Sequence, residues 1–207
     1  MRYLFVFIFT LLTLNITFAT NNINISNVKA KYTKIKTIQG NFTQTQCLES
    51  EGTCQRFEGK FFVSKPYFSR LEVTNPEKQL IISDSNNLYI YLVNKKKVYI
   101  QSADAGINFF KIFDLLLNDT LKFKMSNKED NYCSFEFKKD TLDQYLPSQF
   151  ENLRFLVNTK SNLIEKFSFT DINGLETEFE LSKMKINEKL SAKLFQSTIP
   201  KDVEVIQ

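Results

Sequence analysis

The sequence predicts a mainly β, α+β fold: a meandering antiparallel sheet of about eleven strands interrupted by two helices. Three observations point there. Apolar residues alternate with polar ones in runs of five to eight residues, with turn signals every eight to twelve. Only two segments switch to helical spacing. The 207 residues include 21 Phe and no Trp, against only 5 Gly, so apolar faces built from phenyl rings are plentiful.

Residues 1–19 read as a secretory signal peptide. Arg2 is the basic n-region, Tyr3 to Leu14 the apolar run, and Thr17-Phe18-Ala19 supplies small residues for cleavage after Ala19. The run is shorter than the roughly 17–25 residues of a membrane span; an uncleaved anchor is the alternative reading. The first cysteine is Cys47, so no cysteine stands at the cleavage point for lipid attachment. Residues 20–207 are then expected to be a single, unanchored domain. Ile25, Val28, Tyr32, Ile35 and Ile38 make one helical stripe, with Asn22, Asn24 or Ser26 as cap and Gly40 as the stop.

From Asn41 the period becomes two. Strands are expected around Phe42–Gln46, Phe57–Val63, Leu71–Val73, Leu80–Ile82, Leu88–Val93 and Val98–Ile100, parted by Ser64-Lys65-Pro66, Asn75-Pro76, Ser85-Asn86-Asn87 and Lys95-Lys96-Lys97. Ala103 to Asn118 breaks the pattern. There Phe109, Phe110, Ile112, Phe113, Leu116 and Leu117 cover an arc of about 160° at 100° per residue, a short and very apolar helix. Strands resume at Tyr132–Phe137, Leu153–Val157, Ile164–Phe169 and, after the Asp171–Gly174 turn, Leu175–Ile186. In that last run Leu175, Thr177, Phe179 and Leu181 face one way and Glu176, Glu178 and Glu180 the other.

Composition narrows the chemistry. There is no His, which excludes histidine metal sites and His-based triads, and three Cys cannot make a four-cysteine zinc site. No phosphate-cradling glycine motif occurs. No cofactor, metal or catalytic activity is expected. The net charge is +4, or +3 once Arg2 is removed, and the basic residues are scattered, which does not fit a nucleic-acid partner. Cys47 and Cys54 flank the polar turn LESEGT where two strands meet, so an exported chain is expected to bridge them, with about 2.5 kcal/mol from loop closure. Cys133 alternates with Phe135 and Phe137 and reads as a small buried residue.

In order and spacing these residues resemble the LolA family of periplasmic lipoprotein carriers, across about Val28 to Ile206. The resemblance runs through Phe42-Thr43-Gln44, Gly59-Lys60-Phe61-Phe62-Val63-Ser64-Lys65-Pro66, Arg70, Glu72 and Pro76. It continues through Ile81-Ile82-Ser83-Asp84, Leu88-Tyr89-Ile90-Tyr91, Leu115-Leu116, Asp171 with Gly174, Thr177 and Phe179, and the ending from Phe195 through Pro200 to Val203-Glu204-Val205-Ile206. Two positions depart from the pattern. Lys65 stands where the family often has Arg, and Ser69-Arg70-Leu71 replaces Phe-Arg-Trp, leaving Tyr67 or Phe68 to supply the aromatic ring.

The resemblance implies an unclosed, strongly curved antiparallel β-barrel with a helical lid over a hydrophobic cavity. It implies a non-enzymatic periplasmic chaperone that carries the acyl chains of lipoproteins from the inner to the outer membrane. An inner-membrane ABC transporter would load it, an outer-membrane acceptor lipoprotein is a further expected partner, and the carrier would act as a monomer. The wall and lid of the cavity are expected to comprise Phe61, Leu71, Ile90, Leu92, Phe109, Phe110, Phe113, Leu116, Leu117, Phe135, Phe137, Phe155, Phe167, Phe169 and Phe179. A plain core is the other reading of each, and the first reading of the strand residues Phe61, Phe135, Phe137, Phe155, Phe167, Phe169 and Phe179. Lys65 is the expected latch, as a flexible point charge in place of a planar fork; a solvated loop lysine is its other reading. The rival function is a lipid- or lipoprotein-sensing regulatory domain of the same unclosed fold.

Overall fold

Alternating segments become strands once each apolar face finds neighbours. The computed structural model describes residues 25–48, 50–66, 68–103, 112, 113, 115, 117, 123–128, 131–138, 150–197 and 200–206. Helix α1 (Ile25–Lys34) is followed by β1 (Thr37–Leu48), β2 (Thr53–Ser64), β3 (Phe68–Asn75), β4 (Gln79–Ser83), β5 (Asn87–Leu92) and β6 (Lys97–Ser102). Then come β7 (Lys124–Lys128), β8 (Tyr132–Lys138), β9 (Phe150–Asn158), β10 (Leu163–Asp171), β11 (Leu175–Ile186), a 3-10 turn at Ala192–Phe195, and β12 (Glu204–Ile206). No helix among the described residues is long and apolar enough to cross a membrane. The signal reading and its cleavage site lie outside the described residues.

All twelve strands form one sheet, in the order β12-β6-β5-β4-β3-β2-β1-β11-β10-β9-β8-β7. Two meanders, β1–β6 and β7–β11, join where β1 pairs with β11, from Ile38 opposite Ile186 to Leu48 opposite Leu175. Neighbours are antiparallel except β12, which lies parallel to β6. The sheet curls without closing on itself, with β7 and β12 as its edges. This is the open, curled antiparallel sheet that the resemblance implied; with free edges at β7 and β12 it does not complete a barrel.

Several details differ from the sequence reading. The helix ends at Lys34, and Gly40 does not stop it. Ile38 and Gly40 belong to β1, because residues 37–48 find partners on both sides, in β2 and β11. The chain turns at Ile35, whose N–H donates to the Tyr32 carbonyl, and at Lys36, whose N–H donates to the Asn187 side chain. Ser26 lies inside the helix rather than capping it. Strands β1, β2 and β11 are each 12 residues long, beyond the five to eight expected. The sheet has twelve strands rather than about eleven: β7 is a lysine-bearing edge without apolar alternation, and β12 is only three residues long.

Local chemistry fixes the turns and kinks. Asp171 Oδ1 accepts from the N–H groups of Asn173 and Leu175, and Gly174 takes a φ of 78°. Asp84 Oδ1 does the same for Asn86 and Asn87. At Gly59 the β2–β3 register shifts, and a Cβ there would collide with the Glu72 carbonyl oxygen, so only glycine fits. Cys47 stands opposite Cys54 in the β1–β2 ladder, and the two form a disulfide at the hairpin end. Cys133 is a free, buried thiol, and burial raises its pKa.

Candidate functional site

Cross-strand register shows what the concave face presents. In an antiparallel ladder opposed residues share a face. One row therefore runs Phe61, Leu71, Ile81, Ile90, Tyr99 across β2 to β6. A second runs Phe179, Phe167, Phe155, Phe135 across β11 to β8. Beside it Thr177, Phe169, Leu153 and Phe137 form a third.

The two ends of this face differ in packing. Phe61, Phe135, Phe137, Phe155 and Phe167 are at most 1% exposed, and Phe169 and Phe179 are nearly as buried. Toward β6 the first row opens: Leu71 is 8% exposed, while Ile81, Ile90, Leu92 and Tyr99 are half-buried. Apolar surface thus stays accessible along β4–β6, and the β8–β11 end is filled.

The filling comes from the helices. Ile112, Phe113 and Leu115 are helical and buried, and Leu117 is helical and half-buried. The Phe113 ring lies 5.5 Å from Tyr32 of α1 and 6.1 Å, edge-on, from Phe167. Phe167 stacks on Phe179 at 4.8 Å, and Phe179 meets Phe42 at 6.1 Å. A relay of five rings therefore joins both helical segments to the sheet. A second group, Phe123 with Phe135 and Phe137, seals the β8 side at 5.3 and 5.6 Å. Phe109, Phe110 and Leu116 lie outside the described residues.

Lys65 follows β2, and its Nζ donates to the backbone carbonyl of Tyr32 at 3.2 Å. A cation there satisfies a carbonyl in the last turn of α1, where the helix dipole is negative. Arg70 has a different task on the convex face. Its guanidinium donates to Glu72 at 2.7 Å and to the Leu194 carbonyl at 3.0 Å, tying the Ala192–Phe195 turn to β3, where Phe68 packs on Phe195 at 5.7 Å. Phe68 thus supplies the ring that Leu71 does not. Glu178 and Glu180 flank Lys166 on the convex face at 3.4 and 3.5 Å.

Of the wall residues that the resemblance implied, Ile90, Leu92 and the phenyl rows share this face; Tyr32, Phe42, Ile81, Tyr99 and Phe123 pack with or beside them and were not among the residues expected there. Ile81 and Tyr99 were legible as register partners of Leu71 and Ile90. Tyr32 was visible only as a stripe residue.

An open, curled antiparallel sheet whose apolar concave face is partly stoppered by helices defines the structural class. Within it, the chain belongs to the LolA family: the family model described as outer membrane lipoprotein carrier protein LolA matches residues 33–198. Curated relatives named outer-membrane lipoprotein carrier protein are similar along most of the chain. The one from Legionella pneumophila (strain Lens) is 27% identical over 186 residues, covering 87% of this chain and 88% of the relative. The one from Pseudomonas putida is 28% identical over 180 residues, covering 84% and 83%. A crystal structure of an uncharacterized conserved protein from Thermus thermophilus shares the fold, with a TM-score of 0.55 at 13% identity over 88% of this chain and 96% of that one.

Proposed function

We propose that the mature chain is a periplasmic carrier that shelters the acyl chains of lipoproteins on its concave face between the inner and outer membranes. The signal peptide would be removed after Ala19, leaving residues 20–207 as one carrier domain. An acyl chain of sixteen carbons prefers an apolar site over water by roughly 12 kcal/mol, so it does not cross an aqueous compartment unaided. The observation that carries the reading is the row from Phe61 to Tyr99, which passes from fully buried to half-exposed without losing its apolar character. A guest enters at Ile90 and Leu92 and gains the phenyl rows by displacing the Phe113 segment. No bond is made or broken. An inner-membrane ABC transporter would supply the work of loading, and an outer-membrane acceptor would take the cargo.

The test is titration of purified mature protein with a triacylated lipopeptide. One-to-one binding is expected, weakened at least tenfold by Ile90→Glu or Leu92→Glu. Undiminished binding by both variants would remove this row as the ligand wall. Binding without transfer to acceptor vesicles would instead favour the sensing domain.

A further inference from the structure

Strands β10 and β11 run together for only part of their length. Their ladder extends from Thr170 opposite Glu176 to Lys166 opposite Glu180. Beyond it each strand keeps its other neighbour: Ile164 stays opposite Val157 of β9, and Ile186 stays opposite Ile38 of β1. An irregularity flanks the parting on either side. Glu165 is an extra residue on β10, and β11 shifts register against β1 near Lys183, whose φ is 50°. Bulges of this kind bend a strand and end its pairing. A cavity of about 500 Å³ lies at the parting, lined among others by Leu156, Glu165, Lys166, Glu180 and Ser182.

The parting deprives the buried Ile164 N–H of a strand partner, and a buried donor needs an acceptor. It donates to the Tyr32 hydroxyl at 2.9 Å. The same residue lays its ring on Phe113 and offers its carbonyl to Lys65. Tyr32 is 2% exposed. One residue of α1 therefore meets the parting strands through its hydroxyl, packs its ring on Phe113 and, through its backbone carbonyl, takes the lysine contact.

We propose that Tyr32 is the pin of the closed state, a positioning residue whose hydroxyl must leave the β10–β11 gap whenever the interior admits a ligand. This rests on the carrier reading above. A guest that reaches Phe167 has to displace Phe113, and Phe113 leans on Tyr32. Once α1 moves away, Ile164 loses its acceptor and the gap is open from the concave side.

The experiment uses hydrogen exchange of assigned amides, together with spin-label distances between Ala30→Cys on α1 and Lys160→Cys beyond β9. Tyr32→Phe keeps the ring and removes only the acceptor. Expected are about two- to tenfold faster exchange at Ile164 and a longer Ala30–Lys160 distance, with Phe167 and Phe169 amides unchanged. Unchanged exchange and distance would overturn the proposal, and so would uniform acceleration across the sheet, which marks Tyr32 as an ordinary core residue. In the unsubstituted protein, adding the triacylated lipopeptide should abolish Ile164 protection selectively; retained protection in a loaded protein also overturns it. If the lipopeptide does not bind at all, the carrier reading fails, while the Tyr32→Phe exchange result still decides the pin.

Discussion

Phe113 and Phe155 are equally hidden, at 1% and 0% exposure, yet they should respond differently to truncation. Removing a buried phenyl ring costs about 4 kcal/mol in lost transfer energy and cavity formation. Phe155 is fixed in the sheet, opposite Phe135 and Phe167. Phe155→Ala should therefore lose the whole amount in urea unfolding followed by far-ultraviolet circular dichroism. Phe113 belongs to a helical segment and meets the sheet edge-on at Phe167. When it is truncated, the chain can adopt the open arrangement with the sheet intact, so the loss is capped at the free energy of opening. Phe113→Ala should shift the midpoint by clearly less than Phe155→Ala and should speed dye uptake. Equal losses, with no change in uptake, would make Phe113 a fixed core member and refute the reasoning.

Other consequences are as direct. Reducing the Cys47–Cys54 bridge, or Cys47→Ser with Cys54→Ser, should cost about 2.5 kcal/mol in the same unfolding assay, since the bridge closes a short loop. Gly59→Ala should cost several-fold more in folded yield than Gly52→Ala, because a Cβ at 59 strikes the Glu72 carbonyl and one at 52 meets open space, although Gly52 has a φ of 61°. Arg70→Ala should free the Ala192–Phe195 turn, read as faster proteolysis near Leu194, at a cost of about 1 kcal/mol. Burial raises the Tyr32 phenol above its ordinary pKa, so the folded chain keeps this proton while the unfolded chain loses it above about pH 10. Stability present below that pH should fall as pH rises past it, and Tyr32→Phe should flatten the alkaline slope measured by urea midpoints.

The strands were legible wherever one face is apolar and the other polar. Leu175–Ile186 is the clearest case, with Thr177, Phe179 and Leu181 buried and Glu176 and Glu180 exposed. Ile35 and Ile38 misled because a helical stripe and a following strand can share spacing; what decided between them was pairing with β2 and β11, which no local window contains. Strand β7 was missed because edge lysines need no apolar partner face. The ring relay from Tyr32 to Phe42 depends on which strands adjoin, and adjacency of β1 to β11 is a long-range fact. Lys65 was named as a latch from the resemblance, and its partner, the Tyr32 carbonyl, emerged only from the way β2 passes beneath α1.

The join between the two meanders also bears on how the chain folds. Each meander is made of sequence-adjacent hairpins, which close quickly because little chain entropy is lost. Ile38 and Ile186 must find each other across almost the whole domain, and ladders of that separation form slowly. Until they do, β1 offers an unsatisfied edge with Phe42 beside it, a template for wrong partners. The disulfide at the far end of the β1–β2 hairpin stiffens that waiting edge, so oxidation before the halves dock should raise the yield of correctly assembled protein and suppress aggregation in refolding.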